Sequence, residues 1–230
     1  MRRALSLYQY LAPAVLAPLS LWLWWRHYQG HPQALALTAL AWGLPVAWAY
    51  VVPAVGTNVL KVWEFDVRLR LGRFRPHHGF VFGSATASLA WLVQGPLAAG
   101  WLDVLRAALV LASVLGFWNL LYEVAALKSG LLKVYTQPWA DGQPAETIAH
   151  DYAPWFFGGF GAVYGAVLGL AEWQTGWLAR PAMALAYFGC ALALACALPS
   201  AGFIWQSRRR HGHWGTRPVA PRTHHEKTQR

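Results

Sequence analysis

The stretch FDVRLRLGRFRPHHGF, Phe65 to Phe80, sets four arginines and a histidine pair between two long apolar runs. Its reading decides the fold: a segment this basic, bounded by segments this apolar, is a connection at the surface of a bilayer. Composition supports that reading. Of 230 residues, 57% are hydrophobic, 15% aromatic and only 12% charged, about half the charge that covers an ordinary soluble domain. A hydrocarbon core about 30 Å thick calls for roughly 20 apolar residues per spanning helix. Six uncharged runs of that kind occur, at 5 to 25, 34 to 56, 80 to 100, 104 to 127, 153 to 174 and 182 to 205. The expected fold class is therefore an all-α, polytopic integral membrane bundle of six transmembrane helices.

The formal charge of +10 would point to nucleic acid in a soluble protein, but its distribution points elsewhere. Sixteen of the nineteen Lys and Arg residues fall before the first run, in the second and fourth connections, or after the last run; Arg26, Arg106 and Arg180 fall in the others. That asymmetry orients helices with the basic side in the cytoplasm, so both termini are expected inside and no nucleic-acid partner is expected. The first run ends in LWLWWRHYQG without a small-x-small cleavage site and reads as a retained anchor. The expected organisation is one transmembrane domain, 1–205, followed by a basic, disordered cytoplasmic tail, 206–230, in the inner membrane of a bacterium. The SRRR start of the tail could attract anionic lipid. Fifteen tryptophans, many near run ends, form an interfacial belt. Cys190 and Cys196 lie six apart on the last helix, turned about 240° from each other, which excludes a disulfide between them.

Packing signals concentrate in the fifth run. In GGFGAVYGAVLG, Gly161, Gly165 and Gly169 recur every four residues, a glycine-zipper row that lets another helix approach closely in lipid. The partner could be a helix of the same chain, with GSATAS (Gly83 to Ser88) as the natural candidate, or a second copy or partner membrane subunit.

Chemistry is expected at the basic face. Six of nine acids, Glu64, Asp66, Glu123, Asp141, Glu146 and Asp151, lie in or beside the second and fourth connections. Acids contribute little to orientation, so their gathering means either charge pairing in folded loops or a site. Glu123 lies about one turn inside the membrane from Lys128, with Asn119 four residues earlier on the same face. An ionisable group at that depth faces the bundle interior or a cavity, as an ion pair with a loop arginine or as a proton donor. The candidate catalytic residues are Glu123, Asp66, Asn119, His150 and Asp151. The candidate anion or headgroup site combines Arg68, Arg70, Arg73 and Arg75, on an alternating ribbon whose phase Gly72 shifts, with His77 and His78 at a helix N-terminus. In the fourth connection LLKVY reads as a short strand or amphipathic piece, QPWADGQP as a turn and AETIAHDYAPW as a short helix meeting the fifth run.

His77, His78 and His150 are too few for a di-iron centre, and no metal site is expected. The chain lacks a P-loop, a dinucleotide fingerprint, an aspartate-rich prenyl-diphosphate motif, a serine elbow and a paired-cysteine motif. No motif names a cofactor or a family. Three function classes follow: a membrane enzyme acting on a lipid-soluble isoprenoid, quinone or pigment precursor at a cytoplasmic-side pocket; a scaffold subunit gripping partner helices through the glycine row; and a small transporter, disfavoured by the low polarity of helices two to five.

Overall fold

The computed structural model describes residues 1–221. Six principal helices make the bundle: α1 (Arg2–Tyr28), α2 (Ala34–Val59), α3 (His78–Leu92), α4 (Trp101–Lys128), α5 (Ala145–Trp173) and α6 (Pro181–His211). All but α3 are long and apolar enough to cross a membrane. The third run departs from the expectation of six full spans. Its helix has 15 residues, rises only about 22 Å, and gives way after Leu92 to a loop in which Pro96 supplies no N–H. The class is the expected all-α bundle, with one small sheet added. Trp63–Phe65 (β1) and Leu132–Val134 (β2) pair antiparallel, with Glu64 opposite Lys133.

That small sheet joins the second and fourth connections at one end of the bundle. The chain ends meet it there: Arg2 contacts Asp66 at 2.7 Å, and the Val219 N–H donates to the Tyr135 carbonyl at 3.0 Å. The last helix runs through the expected boundary at 205 to His211, where Gly212 (φ 78°) caps it, and His211 reaches Asp151 at 2.8 Å. The expectation of disorder for 222–230 lies outside the described residues.

The glycine row of α5 is filled from within. A β-carbon on Gly161 or Gly165 would fall on the carbonyl oxygens of Leu111 or Ala107, and one on Gly169 would lie 3.1 Å from the Val104 Cα. Its partner is therefore α4 of the same chain. The expected partner, the GSATAS segment, instead presses Gly83 against the backbone of Val46 on α2.

Helix prolines contribute a second device. Pro45 in α2 and Pro199 in α6 lack the N–H that would bond the carbonyls of Ala41 and Ala195 four residues earlier. Both carbonyls are taken by aromatic donors from neighbouring helices: Tyr164 Oη to Ala41 at 2.5 Å and Trp48 Nε1 to Ala195 at 2.9 Å. At the end opposite the sheet, Glu172 of α5 accepts from Tyr28 Oη (2.5 Å), Gln94 Nε2 (2.9 Å) and the Ala98 N–H (3.0 Å), tying α1 and the loop after α3 to α5.

Tyr164→Phe should lower stability by about 1–3 kcal/mol, the cost of an unpaired buried carbonyl. Combined with Pro45→Ala, which restores the N–H, it should cost distinctly less. Thermal unfolding of the four proteins in detergent measures that coupling.

Candidate functional site

The pocket at the sheeted end lies between α2, α3, α4 and α5. Its walls are Trp48, Trp63, Phe82, Phe156 and Phe157, and three of the side chains facing it are polar: Glu123, His78 and Tyr152. The space open to the centres of water-sized molecules is about 40 Å³, room for a few waters or one small polar group.

Each polar group arrives by a local rule. On α4 the buried positions Leu111, Leu115, Asn119, Glu123 and Ala126 recur at helical spacing, so Glu123 faces inward because it continues the core stripe. Tyr152 comes from α5, just before a π-helical segment, Pro154–Gly159, that buries the successive rings of Phe156 and Phe157; one extra residue in a turn shifts the faces on either side of it. The Tyr152 hydroxyl donates to Glu123 Oε2. Asn119 is buried one turn along the same face.

His78 begins α3. Its Nδ1 lies 2.7 Å from Arg75 Nη2, and a guanidinium can only donate. Nδ1 is therefore the acceptor, and the ring carries its proton on Nε2. The ring is stacked on Phe82 at 5.6 Å and packed against Phe65 at 4.8 Å. Arg75 itself is 0% exposed. It also donates to Gln9 Oε1 at 3.3 Å and lies 5.0 Å above the Phe65 ring, while its charge acts on Glu123 without a direct bond.

The remaining sequence candidates lie apart from this pocket. Asp66 is half-exposed and paired with Arg2. His150 is exposed, and Asp151 is buried against His211, with its carbonyl accepting from Gln206 at 2.7 Å. The four loop arginines do not converge. Arg68 is exposed, Arg70 lies 3.5 Å from Glu64, and Arg73 donates to the Lys61 carbonyl at 3.1 Å and stands over the Tyr135 ring. Gly72 (φ 63°) supplies the left-handed turn that folds this ribbon back between Leu71 and Phe74, which throws alternate arginines to different neighbours. His77 stacks on Tyr10 at 5.3 Å.

The acids of the two connections are largely consumed in pairing within the loops. Glu64 accepts from Tyr135 at 2.7 Å, Glu146 pairs with Lys128, and Asp141 accepts from Gln137 at 3.0 Å. Burial and the Glu64 bond push the Tyr135 hydroxyl up to about 12. No group of three or more His, Cys, Asp or Glu side chains able to hold a metal ion occurs among the described residues. Two contributors escaped sequence reasoning: the Tyr152 hydroxyl as the partner of Glu123, and Glu172 at the far end. The second had a signal, a lone acid at the edge of an apolar run.

No protein-family model, curated protein or solved structure matches this chain.

Tyr152→Phe should cost about 1–3 kcal/mol by leaving the buried Glu123 short of a donor, read as a lowered unfolding midpoint. A pH effect follows from His77, whose imidazole is held below its usual value by burial and by the Arg75 charge. The unfolded chain takes up that proton near pH 6.5 and the folded chain only at lower pH, so stability present above about 6.5 is lost as the pH falls. The unfolding midpoint should be lower at pH 5.5 than at pH 8, and His77→Asn should narrow the gap.

Proposed function

We propose that this chain is a multi-pass enzyme of the bacterial cytoplasmic membrane that carries out proton transfer on a lipid-soluble substrate, an isoprenoid, quinone or pigment precursor, with its sheeted, basic end in the cytoplasm. The observation that carries this reading is the convergence of Glu123, Tyr152 and His78 on one otherwise apolar pocket. A carboxyl group kept from bulk water among aromatic rings is poised to give a proton to a bound molecule and take one back. Tyr152, bonded to one carboxyl oxygen, fixes the orientation of the group, and the His78 Nε2–H is left free to steady negative charge developing on a substrate oxygen. Arg75 acts as a positioning residue: by occupying Nδ1 it holds the ring in the tautomer this role requires. Asn119 supports the same face of α4 one turn away.

The scaffold reading depended on a glycine row open to a partner, and α4 occupies that row. The transporter reading finds no favouring observation.

Lipid extracts of a deletion strain should contain an accumulated precursor. A Glu123→Gln gene should fail to clear it, with turnover reduced about 10²-fold or more, while the protein reaches normal levels in the membrane. Glu146→Gln, at an exposed carboxylate paired with Lys128, should restore the normal profile. A deletion strain with an unchanged lipid profile would remove the enzyme reading.

A further inference from the structure

The pocket around Glu123 shares its wall on the side of α2 with a second space that reaches α6. Val52, Trp63 and Phe156 line both, and the second cavity is the larger, about 180 Å³. The outer cavity runs between Val55 of α2 and Cys196, Phe203 and Ile204 of α6, under a roof of Gly215 and Thr216. Val51 and Val55 on its rim are each 42% exposed, so it opens on the flank of the bundle, the face that hydrocarbon covers in a membrane. Trp63, packed over Gly56 with no room for a β-carbon between them, stands at the constriction between the two spaces. An apolar groove leading from lipid to a small polar pocket is the shape of a molecule with a hydrocarbon chain and one polar end.

The charges decide what that end is. No Lys or Arg lines either space. Arg75 is bonded to Gln9 and His78 and does not line the pocket, and Arg68, Arg70 and Arg73 lie at the surface or on the loops. An anionic headgroup would enter beside the Glu123 carboxyl group with no cation in contact, because Arg75, whose charge reaches Glu123, does not line the pocket, and desolvating an anion without a bonded partner is costly at low dielectric. A neutral oxygen would instead meet the donors already present. We infer that the substrate of the site proposed above is a neutral lipid whose polar end is a carbonyl or hydroxyl oxygen, held at Glu123 and His78, with its hydrocarbon chain in the groove between α2 and α6. The inference rests on reading the inner pocket as the reaction site, and it excludes a phosphate or diphosphate ester as the ligand.

Phe203 and Ile204 line the groove, whereas Leu185 on the same helix is exposed outside it, so α6 carries a reporter segment and its own control. The full-length protein in lipid nanodiscs is photolabelled with a 2-dodecanone that bears a diazirine at the end of its chain, and the labelled segments of α6 are followed by mass spectrometry in the presence of unlabelled 2-dodecanone or dodecyl phosphate. At a competing ketone level several times its dissociation constant, labelling around Phe203 and Ile204 should fall about fivefold relative to that around Leu185, because only the unoccupied fraction is labelled. Dodecyl phosphate should leave the ratio unchanged. Equal protection by the phosphate would overturn the neutral head, and protection by neither would overturn the groove as the chain site; both results leave the deletion-strain test standing. Protection by the ketone in a protein whose Glu123→Gln variant clears the precursor normally would keep the groove and remove the enzyme reading.

Discussion

The architecture follows from the partners that a few buried polar groups take inside an otherwise apolar bundle. In hydrocarbon an unpaired carbonyl or carboxyl group costs several kcal/mol. The helix prolines make that demand visible. Pro45 and Pro199 each release a carbonyl, and each released carbonyl fixes where an aromatic side chain of another helix must lie, Tyr164 in one case and Trp48 in the other. Packing between apolar surfaces is permissive in lipid, because tails and side chains are equally apolar. These directional bonds are not permissive, and they set the relative positions of α2, α5 and α6. Glu172 does the same at the far end, where its two oxygens collect donors from α1 and from the loop after the short third helix.

The same rule shapes the basic end, with a different result. Arg75 is fully enclosed yet has no carboxylate bonded to it; its partners include a glutamine, an imidazole, the Tyr122 side chain and the face of a phenylalanine. Holding the charge this way commits His78 to one tautomer and leaves Glu123 to be satisfied by Tyr152 alone. An inner pocket lined by a carboxyl group, a hydroxyl group and an imidazole N–H, and walled by aromatic rings, is the outcome. It adjoins a groove open to the flank of the bundle.

Much of this was legible in the residues. Apolar run length gave the five long helices and AETIAHDYAPW gave a helical entry to α5, because each rests on local periodicity that neighbours do not override, whereas LLKVY stood open between a strand and an amphipathic piece until its pairing with Trp63–Phe65 decided it. The inward direction of Glu123 was also legible, since it continues the stripe of Leu111, Leu115 and Asn119. Local rules failed for the third run. Its apolar character persists to residue 100, but Gln94 and the Ala98 N–H are recruited by Glu172, and a bond to a distant acid draws the chain out of the helix. The loop arginines are dispersed for a similar reason. Alternation along VRLRLGRFR shows which side chains share a face of an extended chain, yet the turn at Gly72 folds that face and hands Arg70, Arg73 and Arg75 to three separate neighbours.

The sequence by itself determined the helical, apolar character of the chain, the gathering of basic charge in particular connections, the inward face of Glu123 and the closeness of approach that the α5 glycines permit. These follow from residue type and spacing, which act over a few turns. Only the tertiary structure decided which helix fills the glycine row, which hydroxyl meets Glu123, and which of four arginines is buried. Those outcomes depend on groups far apart in the chain, such as Trp48 and Ala195, meeting under the requirement that most buried polar groups find partners. That requirement applies to the assembled bundle as a whole and to no segment taken separately.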